Sequence, residues 1–213
     1  MKLSYLPVLI DGFITTAELT VFATIIATAL SVAAGVGLTS QTRPLRSLCR
    51  VYVEIFRGTS LLVQLFWIYY VLPCFDVSID PFVAGIGAIA LNNGAYGAEA
   101  VRGAINALPR GQEEAAKSLG LPRRLILFRI LVPQACIFLL PQWGNFLIET
   151  MKTTAIVSVI SINDLTFAGY QLNIRTYDTL TIYGLLLLIY FGLSQLIVVP
   201  VRLIERHYRL RTA

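Results

Sequence analysis

Charged residues are scarce in this chain. They make up 14% of its 213 residues, whereas soluble domains of this size average about 25%. With 56% hydrophobic residues and a mean hydropathy of +0.72, the chain has too few ionisable side chains to cover a surface that faces water. These values exclude disorder and a collagen-like fibre and argue against a compact soluble enzyme. They favour one domain embedded in a lipid bilayer.

Histidine, cysteine and phosphate-binding glycine motifs are nearly absent as well. The one histidine, His207, lies in a basic tail, and Cys49, Cys74 and Cys136 are too far apart for metal-site spacing. An intramembrane enzyme would need paired aspartates, a His-Glu zinc motif or a serine with a base. No GxxxxGK[ST] loop occurs either, so the chain does not supply an ATPase. We predict neither a catalytic site nor a metal site.

Long apolar runs predict an all-α membrane protein with five transmembrane helices, because about 20 apolar residues cross a bilayer. The predicted spans are about 12–38, 52–75, 81–107, 134–160 and 179–201. The run 125–160 would be about 54 Å long as one helix, so we expect Pro133 to divide it and 125–132 to lie along the interface. The chain is then a single transmembrane domain, with its core at about 12–203 and a basic cytoplasmic tail at 204–213.

Basic residues mark one side of the membrane. Of the 17 lysines and arginines, four fall in 43–57, five in 110–129 and four in 202–211. Because loops rich in Lys and Arg stay in the cytoplasm, this distribution predicts an external N-terminus and a cytoplasmic C-terminus. The net charge of +5 then reflects topology, and no nucleic-acid partner is expected.

The loop LPRGQEEAAKSLGLPRR at 108–124 predicts a short cytoplasmic helix. Glu113 and Glu114 suit its first turn, and Glu113 can pair with Lys117 at i,i+4. Gly120 can end the helix, since glycine is common just past a helix C-terminus, and the proline at 122 prevents continuation. On physics alone, both a solubilising loop and a docking surface stay open.

A fixed pattern around this loop resembles a known signature. Glu114-Ala115-Ala116, Gly120, Ile130 and Val132-Pro133 have the spacing of the EAA motif of ABC importer permeases. The segments at 52–70, 91–105 and 143–165 resemble the polar amino-acid branch of that family. The resemblance implies a type I importer permease fold, in which the region from Gly111 to Gly120 forms a coupling helix that docks on a separate ATPase. Ala115 and Ala116 permit close approach there.

The same resemblance implies partners, a location and a solute. The expected partners are an ABC ATPase dimer, an extracytoplasmic solute-binding protein, a second identical or related permease, and membrane lipid. The expected location is the bacterial cytoplasmic (inner) membrane. ATP and Mg²⁺ would bind the ATPase, and this chain would bind no cofactor. The solute would be small, polar and amino-acid-like, and RGTSLLVQLFW, GAYGAEAVRGAI and Glu149 most resemble the ectoine/hydroxyectoine importers.

Polar residues within spans two and three are candidates for function, because burying them in lipid is costly. Glu54 and Arg57 are spaced to pair with each other, as are Glu99 and Arg102. Further polar residues are predicted to line the solute pathway: Gln64, Asn92 and Tyr96. The small-residue ladder Ala90, Gly94 and Ala98 indicates a helix-packing seam.

A second polar cluster lies in span four. Glu149 and Lys152 are one helical turn apart, followed by Thr153. The two charges are predicted either to hold a zwitterionic solute or to close on each other as a structural ion pair. Many related permeases have Lys-Asp-Thr-Ser where this chain has Lys152-Thr153-Thr154-Ala155, which argues against a cationic amino acid as solute.

Two alternatives stay open at the level of sequence. An ATP-independent carrier or channel for a small polar solute would also place polar residues within spans, although such a single chain usually has more spans and internal repeats. Asp164, in the outer loop, is either a helix cap or a contact for a binding protein.

Overall fold

The computed structural model describes residues 5–212, apart from the side chains of 110, 113, 123, 136, 137, 141 and 204–212. The described residues form helices and turns without strands. The helices are α1 (Leu6–Leu38), α2 (Arg43–Gly58), α3 (Leu61–Phe66), α4 (Pro81–Asn106), α5 (Arg110–Ser118), α6 (Arg123–Leu125), α7 (Val132–Thr153), α8 (Leu165–Thr176) and α9 (Thr179–Thr212). A π segment and a 3₁₀ turn extend α3 to Phe75.

Helix α4 lies at the centre of the fold and packs against α1, α2, α3 and α7. Its many alanines and glycines let neighbouring backbones approach closely. A Cβ at Gly94 would lie 2.8 Å from the Tyr52 hydroxyl and 2.9 Å from Cβ of Leu30. Ala90 and Ala98 are fully buried. The predicted small-residue seam therefore lies within this chain, against α1 and α2.

Two helices among the described residues, Leu6–Leu38 and Thr179–Leu203, are long and apolar enough to cross a membrane. The number rises to four if each of two bent helix pairs is one span. Helix α4 is not among them, because its glycines, its asparagines and its charged residues lower its mean hydropathy. Five spans and an external N-terminus stay predictions.

The second predicted span, 52–75, is wrong as one straight helix. Helix α2 begins earlier, at Arg43, and ends at Gly58, and the segment from Leu61 to Phe75 leaves it at 103°. The corner between them is Thr59-Ser60, both in extended conformation. Side chains from α3 and α4 hold this corner, and no proline or glycine run marks it in the sequence.

The fourth predicted span needs smaller corrections. A π segment, Ile126–Leu131, leads from α6 into α7, and Pro133 lies in the first turn of α7. The span ends as a 3₁₀ turn at Thr154–Ile160. Helix α8, which we did not predict, then fills the outer loop. Asp164 caps it by accepting hydrogen bonds from the N–H groups of Thr166 and Phe167.

Asp164 is fully buried, so the cap hypothesis is confirmed and a direct binding-protein contact is wrong. Its Oδ2 is 3.4 Å from the Tyr190 hydroxyl, which is also 2.8 Å from the Thr166 hydroxyl. Burial raises the pKa of the Asp164 carboxyl, while the two backbone N–H groups lower it. The network ties α8 to α9.

The predicted helix at 111–120 is α5, with slightly shifted ends. Ala116 packs into a cluster with Ile126 and Leu131, which anchors α5 to the helix that follows. Gly120 has φ +72°, and the N–H groups of Gly120 and Leu121 bond the carbonyls of Lys117 and Ala116. This is the Schellman arrangement, which favours glycine.

The side chain of Glu113, and hence its predicted pair with Lys117, lies outside the described residues, as do the side chains of Cys136 and His207.

Candidate solute cavity

A partly open cavity of about 1180 Å³ lies between α4 and α7. It follows one face of α4 from Asn92 to Ala107, about 22 Å along the helix axis. The corner after α2 closes one end, and the other end lies near the start of α5. Its lining is formed by Arg57, Thr59, Ser60, Leu61, Asn92, Asn93, Tyr96, Gly97, Glu99, Ala100, Gly103, Ala104, Ala107, Phe138, Gln142, Trp143, Asn145, Phe146, Glu149, Thr153 and Ile156.

Charged side chains gather where α2 and α4 meet beside the cavity. Arg102 donates from Nη2 and Nε to Oε2 of Glu99, at 2.6 and 2.9 Å. Nη1 of Arg57 lies 3.9 Å from the other oxygen of Glu99, and its guanidinium carbon is 5.2 Å from the centroid of the Tyr96 ring. Two guanidinium groups share one carboxylate, so this cluster has one positive charge in excess.

A carboxylate lies on the α7 wall of the same cavity. Glu149 is exposed, and no ion pair or hydrogen bond engages its carboxylate within the described part of the chain. Beside it, Asn93 donates to the hydroxyls of Thr150 and Thr153 at 3.1 and 3.3 Å, which joins α4 to α7. The cavity therefore presents an excess positive charge from α2 and α4 and a negative charge from α7.

Most, but not all, of the predicted pathway residues meet in this cavity. Asn92, Tyr96, Glu149 and Thr153 line it. Gln64 does not, because its amide is buried in hydrogen bonds to the corner at 59–60.

The two ion pairs predicted around the solute site are also corrected. Lys152 is exposed but lies off the cavity wall, and it forms no ion pair with Glu149 in the part of the chain described. One helical turn brings two residues near each other only if both side chains turn to the same face. Arg57 pairs with Glu99 instead of the predicted Glu54, because the corner turns it towards α4. The predicted pair between Glu99 and Arg102 is confirmed.

Sequence reasoning missed much of the α7 wall. Gln142 and Asn145 precede Glu149 and Thr153 at helical spacing, so one polar stripe runs along α7. Extending the pattern upstream from Glu149 would have found it. Phe138, Trp143 and Phe146 make the rest of this wall apolar, with the last two rings 4.9 Å apart.

The proposed coupling segment has a distinct exposed face. Glu114, Ala115 and Ser118 are exposed on α5, while Ala116 on the opposite face is buried. Of the two alanines predicted to permit close approach by a partner, only Ala115 is therefore accessible. Leu119, at the end of the helix, is 79% exposed.

Comparison with known proteins identifies the family of this chain. The profile of the family described as "Binding-protein-dependent transport system inner membrane component" matches residues 25–210. This chain belongs to that family. It is 41% identical to a probable amino-acid ABC transporter permease of Sinorhizobium fredii, over 94% of this chain and 87% of that one. It is 36% identical to the L-cystine transport system permease of Bacillus subtilis, over 95% of this chain and 87% of that one.

Solved structures of ABC transporters show the same fold. One described as an amino acid ABC transporter with histidines has a TM-score of 0.88 at 37% identity, covering 96% of this chain and 95% of that one. The MetNI methionine ABC transporter has a TM-score of 0.83 at 22% identity, covering 97% and 99%, which supports the fold alone.

These findings make the chain an amino-acid ABC transporter permease with membrane helices that works in binding-protein-dependent transport. Its relatives are permease subunits, which are not enzymes, and a separate subunit hydrolyses ATP. Membership in this family removes the support for the carrier or channel alternative.

Proposed function

We propose that this permease moves a small zwitterionic, amino-acid-like solute into the cytoplasm by alternating access, driven by a separate ATPase. The observation that supports it is a cavity lined by both Arg57 and Glu149. The solute carboxylate binds the excess positive charge at Arg57, and its ammonium group binds Glu149. Arg57 thus takes the role that the sequence suggested for Lys152.

The solute class rests on charge and on relatives. Permeases named for L-cystine and arginine transport are 36% and 34% identical to this chain. A common α-amino and α-carboxylate pair is the feature that one cavity can recognise in solutes with such different side chains. The resemblance to ectoine importers makes ectoine, which has both charges, one solute to test, although neither of these two permeases is named for ectoine.

Transport is coupled through α5. Its exposed face, from Gly111 to Gly120 with Leu119 at the end, docks on the ATPase, and its buried Ala116 transmits the motion to the helix that leads into α7. Binding of ATP favours one of two states, because the ATPase dimer closes only in that state. This chain itself binds no ATP or Mg²⁺.

The permease works as a pair in the inner membrane. The cavity is only partly enclosed by this chain, and a second permease copy, or a related permease, completes the pathway. Sinorhizobium fredii has two permeases of this type, 41% and 33% identical to this chain, which fits either arrangement. An external binding protein delivers the solute, with the N-terminus outside and the basic tail in the cytoplasm.

Solute binding to the permease–ATPase complex in nanodiscs, without binding protein, tests the cavity. The probes are cystine, glutamine, arginine and ectoine, each titrated separately. A hydrogen bond to a charged group contributes about 1.5–3 kcal/mol, so we expect Glu149→Gln and Arg57→Met each to weaken binding of the best probe by about 10–100-fold. Lys152→Met serves as the matched control, since Lys152 lies off the cavity wall.

Two outcomes would contradict this proposal. Unchanged binding in both cavity variants would place the solute elsewhere. A loss in Lys152→Met equal to that in Glu149→Gln would favour the first alternative from the sequence, in which these two charges together hold the solute.

A further inference from the structure

The corner between α2 and α3 leaves backbone groups that need partners. The last four carbonyls of a helix find no N–H donor within the helix, so other groups have to pair with them. Helix α2 ends at Gly58, and its cap residue Thr59 provides no backbone hydrogen bond. Side chains supply donors to three of these carbonyls.

Three successive carbonyls of the last turn receive such donors. Ile55 O accepts from the Thr59 hydroxyl at 2.8 Å. Phe56 O accepts from the amides of Gln64 and Asn92, at 2.9 and 2.8 Å. The carbonyl of Arg57 accepts a longer bond, 3.5 Å, from the Tyr96 hydroxyl.

Gln64 is the centre of this network. Its Nε2 donates to Phe56 O and, at 2.7 Å, to the Thr59 hydroxyl, and its Oε1 accepts from Asn92 at 3.1 Å. The side chain is 8% exposed and does not line the cavity. Both its amide nitrogen and its amide oxygen are thus engaged at the corner.

We propose that Gln64 is a positioning residue, which holds the corner so that Arg57 faces the solute cavity. Arg57 is two residues from the corner, and its side chain reaches Tyr96 and Glu99 only because α2 ends where it does. Without the Gln64 amide, the Phe56 and Thr59 oxygens lose donors, and the last turn of α2 moves to find others. This inference rests on the proposed solute site at Arg57.

A double-mutant cycle tests it in the permease–ATPase complex in nanodiscs. Solute binding is measured with the best of the four probes for Gln64→Met, Arg57→Met and the double variant. Gln64→Met should weaken binding several-fold in the native background and have no further effect once Arg57 is replaced. Additive losses would overturn the proposal, because Gln64 would then act independently of Arg57. Val63→Met, at the exposed neighbouring position, is the matched control and should bind like the native protein.

The milder variant Gln64→Asn keeps the amide but shortens its reach. It is measured as well, in case Gln64→Met does not fold. It should weaken binding in the same direction and to a smaller extent. A purely structural role for Gln64 would lower the yield and thermal stability of the complex while leaving solute affinity unchanged in the folded fraction, and that result would overturn the proposal.

A second measurement does not depend on any solute. In a complex with Cys49, Cys74 and Cys136 replaced by alanine, the thiol of Arg57→Cys is labelled with a positively charged methanethiosulfonate reagent. Adding Gln64→Met should change its labelling rate several-fold and leave that of Gly103→Cys, further along the cavity, unaltered. Equal rates at position 57 would overturn the positioning role. A changed rate with no effect of Arg57→Met on solute binding would instead show that the solute site is wrong and the corner correct.

Discussion

The chain interrupts its helices in two contrasting ways. At Thr59-Ser60 the break faces the cavity and is held by amides and hydroxyls from other helices. At α5 the breaks are exposed and are made by Pro109, Gly120 and Pro122, whose effects are local. The first break depends on tertiary contacts and the second on backbone preference.

This contrast separates two tasks. The corner fixes a charged side chain against the cavity, which requires a rigid arrangement. The α5 segment presents a short helix to a partner while its buried Ala116 remains attached to the core. Damage at the corner should therefore reduce stability and solute binding, whereas damage at α5 should reduce coupling and leave solute binding unchanged.

The largest expected effect comes from Asn92→Leu at the corner. The change removes donors to Phe56 O and to the Gln64 amide oxygen, and a buried polar group left unpaired costs about 1–3 kcal/mol. We expect a lower denaturation midpoint of the purified complex in mixed micelles. Asn106→Leu, at the exposed end of the same helix, is the control. Equal midpoints for the two variants would remove the distinction between a tertiary and a local break.

Gly120→Ala should have the next largest effect, on coupling. At φ +72° an alanine costs about 1–2 kcal/mol and shifts the end of α5. In proteoliposomes with ATPase and binding protein we expect less solute uptake per ATP hydrolysed, with unchanged solute binding to the cavity. Gly184→Ala, in α9 with open space around its Cβ position, is the matched control. Normal coupling in Gly120→Ala would show that α5 is not the coupling element.

Thr59→Val should destabilise the complex less than Asn92→Leu does, by about 1 kcal/mol, because it removes one neutral hydroxyl from the corner. That hydroxyl donates to Ile55 O and accepts from Gln64. Denaturation of the purified complex in mixed micelles measures the loss of stability in this variant. A change larger than that of Asn92→Leu would mean that the hydroxyl, rather than the amides, holds the corner.

The smallest effect is expected for Ser118→Ala in α5. Its hydroxyl bonds the carbonyl four residues back, Glu114 O at 3.0 Å, as that of Thr59 does, but among the described residues it links no other helix. An exposed substitution of this kind changes stability by about 0.5 kcal/mol or less. Parallel thermal scans of Ser118→Ala and Thr59→Val compare the two sites directly, and an equal loss would contradict the contrast.

The same contrast explains how far the sequence predicts the structure. Gly120 and Pro122 mark the end of α5, and small residues at helical spacing mark the α4 seam, because local preference decides both. The corner at 59–60 was missed because the donors that replace its backbone bonds come from Gln64 and Asn92, 28 positions apart.

The candidate site was predicted in part for the same reason. Asn92, Tyr96 and Glu149 could be selected because polar side chains in apolar helices are costly. The ion pairs around them could not be predicted. Arg57 contacts Glu99 only after the corner forms, and the side chain of Lys152 points away from the cavity wall. Spacing along one helix predicts proximity, but the packing of neighbouring helices decides the direction.

Solute uptake by proteoliposomes that contain this permease, its ATPase and its binding protein tests whether the cavity serves ATP-driven import. We expect that uptake of the best probe requires ATP on the ATPase side, and that it falls at least about tenfold in Glu149→Gln while basal ATP hydrolysis persists. Equal uptake by the permease in liposomes without the ATPase would contradict this expectation.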